Sequence, residues 1–128
     1  APQYLWDLDT RLVAVMARHF GIDTPTAFAS EVPDQSEDKN QRIIDVCKHF
    51  GADILYDGKS AQDFIDMDLF AENGIEVIFQ DYQHPVYPQG KGDFLSHMSA
   101  LDLLFRHGPE ARDIMLSSPR PATMDLAA

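Results

Sequence analysis

Along this chain the hydrophobic period alternates between helix and strand, and that alternation leaves few folds open. Leu5, Leu8, Leu12, Met16 and Phe20 recur at three- and four-residue spacing and Gly21 follows, which predicts a helix from about Tyr4 to Phe20 with a glycine cap. Thr26 to Ser30, after Pro25, predicts a first short strand. Ile43, Ile44, Cys47 and Phe50 then make one apolar face closed by Gly51, a second helix over Asn40 to Phe50. Asp53 to Tyr56 predicts a second strand, and Ile75 to Phe79, β-branched and aromatic, a third. Between them Ser60 and Asp63 stand in capping-box-like spacing, opening a helix or helix pair that ends near Asn73-Gly74. Phe94, Met98, Leu101, Leu104 and Phe105 predict an amphipathic helix ended by Gly108-Pro109, with a last helical turn or two reaching Met115.

Strands separated by helical segments are the signature of parallel crossovers. The expected fold is α/β: a small three-layer Rossmann-like domain over residues 1–116, with a short parallel sheet of about three strands flanked by helices, and a flexible Ser/Pro/Ala-rich tail over 117–128. So small a parallel sheet leaves an uncovered edge, which predicts a homo-oligomer or further strands from a longer protein.

Size and charge bound the function. The 128 residues make one domain, and ten basic against twenty-one acidic residues leave a net charge of −11. That balance argues against a nucleic-acid partner and against docking on an anionic membrane. The single cysteine, Cys47, lies on an apolar helix face and forms no internal disulfide, which fits a reducing compartment. With no apolar run long enough to span a membrane and no leader-like start, the expected location is cytoplasmic. The five histidines lack the spacing of zinc sites, and Asp63, Asp66 and Asp68 lack the glycine turn and terminal glutamate of a calcium loop, so no metal and no cofactor are expected. His97 reads as part of the amphipathic helix, and Asp102, among leucines, needs a partner such as Arg42 or Tyr82.

The run Phe79-Gln80-Asp81-Tyr82-Gln83-His84-Pro85-Val86-Tyr87-Pro88-Gln89-Gly90 carries the strongest functional signal. Its prolines stiffen the backbone, so Asp81, Tyr82, His84, Tyr87 and Gln89 are presented on a semi-rigid loop beyond a strand. A cover packed over a sheet edge is the competing reading. Ligands of open α/β sheets bind beyond the carboxyl ends of the strands, where Asp57-Gly58-Lys59-Ser60 is also expected. Gly58 permits a tight turn, Lys59 brings positive charge and Ser60 stands at a helix N-terminus, a combination suited to a phosphate or carboxylate. The upstream glycine of a Walker A loop is absent.

These residues resemble the C-terminal part of the WbqC-like family. The matching features are Lys39-Asn40-Gln41-Arg42, Gly51-Ala52, Gly58 with Ser60, the run Phe79 to Gln89, Ser99 with Asp102 to Phe105, and Gly108-Pro109-Glu110. The resemblance covers Tyr4 to Leu116, and Asp81 to Gln89 is its most specific segment. Asp57 stands where the family tends to carry serine and Phe64 where it tends to carry tyrosine, and the family's usual opening His-Gln-Pro and Tyr-Leu-Pro segments are not in this sequence. The resemblance implies a role in bacterial surface polysaccharide (O-antigen) biosynthesis, with acyl or aminoacyl (glycine) transfer to a nucleotide-activated amino sugar. Its implied ligand is a nucleotide sugar or other small anion. In such a transferase His84 or Asp81 is the base, Tyr82, Tyr87 or Gln89 supply the donors, and Gly58, Lys59 and Ser60 cradle phosphate, whereas a binding module stacks the ligand on Tyr82 or Tyr87. The alternatives are a sugar-nucleotide-binding module without turnover and a structural or interaction module.

Overall fold

A computed structural model describes residues 4–118, which pack as two compact units: residues 4–25 with 82–118, and residues 26–81. The expected tail beyond Ser118 lies outside the described residues.

The unit of residues 26–81 is built on a βαβ crossover. Strands β1 (Ile54–Gly58) and β2 (Glu76–Gln80) pair in parallel with Ile54 opposite Glu76 and Gly58 opposite Gln80, so their carboxyl ends lie at the same edge. Helix α2 (Lys39–His49) precedes β1, and a 3-10 turn (Lys59–Asp63) and α3 (Met67–Glu72) connect the strands. Asp38 and Asp66 cap the two α-helices by accepting from Gln41 N–H and Leu69 N–H. Asp66 thus does the capping expected of Ser60 and Asp63. Ile44, Cys47, Ala61, Ile65, Phe70 and Ile75 form the core. Burial pushes the Cys47 thiol above its ordinary pKa, in keeping with an apolar packing role.

The parallel α/β character expected from the sequence is present; the three strands are not. Among the described residues the sheet has two strands, and Thr26–Ser30 is irregular chain running into a 3-10 turn (Ala29–Glu31). The Glu31 carboxylate accepts from Phe28 N–H at 3.0 Å and the Gln35 amide donates to the Ala29 and Val32 carbonyls, so side chains occupy backbone groups that a sheet ladder would need.

The other unit joins α1 (Leu5–His19) to α4 (Ala100–His107) and α5 (Ala111–Leu116), with Gly108–Glu110 as a 3-10 turn between the last two. Gly21 follows α1 at φ +64°, the left-handed geometry expected of its cap. Phe20, Tyr87, Leu103 and Ala111 are its buried core. The expected helix from Phe94 begins only at Ala100, where the Ser99 hydroxyl accepts from Leu101 N–H. His97, at φ +59°, interrupts any helix there.

Candidate functional site

The Lys39-Asn40-Gln41-Arg42 segment clamps the chain around it. Asn40 donates to Phe64 O at 3.1 Å and accepts from Asp66 N–H at 3.0 Å, so one amide pins the segment that follows the turn after β1. Lys39 Nζ lies 3.1 Å from the centroid of the Phe64 ring, a cation–π contact. Arg42 donates to the carbonyls of Ser36 and Glu37.

At the carboxyl edge of the sheet, Lys59 Nζ meets Asp81 Oδ1 at 3.3 Å, with the two side chains 71% and 61% exposed. The lysine expected to cradle an anion and the aspartate expected to act as base therefore offset each other's charge. Gly58 is extended at φ −68°, and its N–H donates to Asp57 Oδ1 at 2.7 Å, so a carboxylate already sits at that turn. Ser60 is exposed in the 3-10 turn.

Tyr82 to Gln89 belong to the other unit, where the loop between β2 and α4 is wired to α4 by its own polar side chains. Tyr87 is 5% exposed and its hydroxyl donates to Asp102 Oδ2 at 3.1 Å. The Gln89 amide both donates to Leu95 O and accepts from Leu95 N–H, each at 2.8 Å, closing the chain between them into a hairpin-like bend. Arg106 donates to Asp102 Oδ1 at 2.6 Å and to the Gln89 carbonyl, and His107 Nε2 donates to the Pro88 carbonyl at 2.9 Å. Asp102 is thus satisfied by Arg106, Tyr87 and Gln89 rather than by Arg42 or Tyr82. The Arg106 hydrogen bond, aided by those of Tyr87 and Gln89, holds its carboxyl below the ordinary value.

His84 is placed differently. Its Nδ1 lies 2.9 Å from the Pro85 carbonyl, and a carbonyl only accepts, so Nδ1 carries the proton and Nε2 the lone pair. Among the described residues no hydrogen-bond partner occupies that lone pair. Four rings surround the imidazole: His97 at 5.2 Å between centroids, Phe94 at 5.7 Å, Tyr82 at 5.8 Å and Tyr87 at 6.1 Å. Tyr87 and Phe94 also line a cleft of about 320 Å³ with Val86, Pro88, Gln89, Gly90 and Gly92. Tyr82 is 41% exposed, and partial burial followed by the neighbouring Tyr87 raises its phenol pKa, which keeps it a donor at neutral pH. His97 was hidden from sequence reasoning by its apparent helical context; its Nδ1 lies 2.9 Å from Ser96 Oγ.

Of the loop residues singled out by sequence, His84 Nε2 and the Tyr82 hydroxyl therefore have no hydrogen-bond partner among the described residues, while Tyr87 and Gln89 spend their polar atoms internally. Among the described residues no three histidine, cysteine or acidic side chains gather as a metal-holding group, and no helix is long and apolar enough to cross a membrane.

Comparison with known proteins agrees with the motif. No solved structure matches the chain. A Mycobacterium tuberculosis protein named only as uncharacterized protein Rv1507c is 32% identical over 109 residues, covering 84% of this chain and 47% of the relative. The chain thus spans about half the length of that curated relative. The model of the WbqC-like protein family matches residues 1–114, nearly the whole chain. The chain belongs to the WbqC-like protein family.

Proposed function

We propose that this chain holds a nucleotide-activated amino sugar in bacterial surface polysaccharide (O-antigen) biosynthesis, as part of a cytoplasmic WbqC-like protein that transfers an acyl or aminoacyl group, such as glycine, to the sugar amine. The observation that carries the reading is His84: an imidazole with its tautomer set by the Pro85 carbonyl and its Nε2 lone pair unclaimed, sharing Tyr87 and Phe94 with a cleft. In the transfer, the sugar amine attacks the carbonyl carbon of an activated acyl ester. The amide C–N bond forms and the bond to the leaving oxygen breaks, while the amine's proton passes to His84 Nε2 and on to the leaving group. Tyr82 supplies an exposed ring for stacking and a protonated phenol for donation. Within the unit of residues 26–81, Lys59, with Gly58 and Ser60, is a separate candidate for holding an anion, one that first has to release Asp81. No cofactor enters this scheme. In this reading the two-stranded sheet is the visible part of a Rossmann-like layer, completed by strands outside this segment.

The internal commitment of Tyr87 and Gln89 favours a second reading, in which the site holds the sugar nucleotide without turning it over. Titration calorimetry with uridine-diphosphate amino sugars tests both. His84→Ala and Tyr82→Ala are expected to lose binding while keeping the parent's melting temperature within a few degrees. If both variants bind like the parent, or if the parent binds none of the sugars, the ligand reading fails. Mass spectrometry of the sugar after incubation with an acyl donor separates transfer from holding.

A further inference from the structure

Two histidines meet in the unit of residues 4–25 and 82–118. The ring centres of His84 and His97 lie 5.2 Å apart, with their planes inclined by 48°. Each imidazole already turns Nδ1 to an oxygen of its own segment, the Pro85 carbonyl for His84 and the Ser96 hydroxyl for His97, both at 2.9 Å. Among the described residues neither Nε2 has a hydrogen-bond partner. Metal-binding histidines commonly have this arrangement, one ring nitrogen held by a carbonyl or other oxygen and the second left to the ion. We infer that His84 and His97 together bind a borderline divalent cation such as Zn2+ through their Nε2 atoms.

The spacing fits one shared ion. With Zn–N bonds of about 2.0–2.1 Å and a tetrahedral angle between them, two imidazole centres fall about 5 Å apart. Imidazole nitrogens suit Zn2+, Cu2+ and Ni2+, whereas Mg2+ and Ca2+ prefer oxygen. His97 reaches this place with its backbone at φ +59°, a left-handed conformation that is uncommon outside glycine and recurs at functional sites. The net charge of −11 favours the approach of a cation. Among the described residues no third histidine, cysteine or acidic side chain joins the pair, so water fills the other positions and the ion stays exchangeable. The inference stands apart from the ligand reading. The ion takes the same Nε2 lone pair that the transfer gives to the amine proton, so the two exclude each other at His84.

Titration calorimetry with Zn2+ alone, in excess Mg2+, tests it, and the visible absorption of added Co2+ reports nitrogen coordination. The parent is expected to bind one Zn2+ per chain, which Mg2+ does not displace. His84→Ala and His97→Asn should each lose that binding and the Co2+ bands, while His49→Ala, an exposed histidine of the other unit, keeps both. His97→Asn decides the matter even if His84→Ala fails to fold, because His97 is exposed and asparagine tolerates the left-handed backbone. A parent that binds no Zn2+ overturns the inference. So does a His97→Asn variant that binds as tightly as the parent. Displacement by Mg2+, or loss of binding in His49→Ala, would put the cation on surface carboxylates or on other histidines and overturn it as well.

Discussion

The hydroxyl of Tyr87 donates to Asp102 Oδ2 at 3.1 Å while its ring lies in the core beside Phe20 and Leu103. A tyrosine from an irregular loop is thereby a fixed point of its unit. The loop gains its shape from this anchor and from the Gln89 amide, which together hold the segment that carries His84.

Tyr87→Ala should therefore cost about 3–5 kcal/mol, as truncating a buried aromatic does. Tyr87→Phe keeps the ring and should cost less. Urea unfolding measures both. A Tyr87→Ala variant as stable as the parent would show that the ring is no anchor.

The Asp102 network has a defined pH signature. Asp102 is held below its ordinary value of 3.8, first by the Arg106 hydrogen bond. A carboxyl whose folded pKa is depressed contributes stability that is complete above the unfolded pKa and is lost as pH falls through the folded one. Asp102→Asn should remove that part of the acid destabilisation, so its urea midpoint should change less than the parent's between about pH 5 and pH 2. Parallel curves for the two proteins would contradict this.

Asn40→Ala removes both the donor to Phe64 O and the acceptor for Asp66 N–H. A loss of roughly 1–2 kcal/mol is expected, with faster hydrogen exchange at the Asp66 amide. Asn40→Asp keeps the acceptor and should protect that amide while still losing the bond to Phe64.

The Lys59–Asp81 pair should be nearly silent in stability. With both side chains more than half exposed, Lys59→Met is expected to change the unfolding free energy by less than about 1 kcal/mol. A larger loss, seen in thermal or urea unfolding, would mean that the pair holds the carboxyl ends of β1 and β2 together.

Much of this protein is written in short-range pattern. The periods of α1 and α2, the left-handed glycines at Gly21, Gly51 and Gly74, and the two parallel strands Ile54–Gly58 and Glu76–Gln80 follow from local spacing and backbone preference, which the sequence carries residue by residue. That the Asp81 to Gln89 segment gathers hydrogen-bonding side chains between prolines was legible too, as was its lack of regular secondary structure beyond the strand. Tertiary structure decided what local pattern could not. Thr26–Ser30 has strand-like residues but no ladder, since a strand exists only with a partner and side chains of Glu31 and Gln35 claim its backbone groups first. His97 has helical spacing to its neighbours, yet its left-handed backbone leaves its ring 5.2 Å from His84. Tyr87, Gln89 and His84 are alike as hydrogen-bonding loop residues in the sequence. Only the folded chain separates them, because whether a polar group is spent or available depends on partners such as Asp102, fifteen residues from Tyr87 along the chain, which distance in sequence does not reveal.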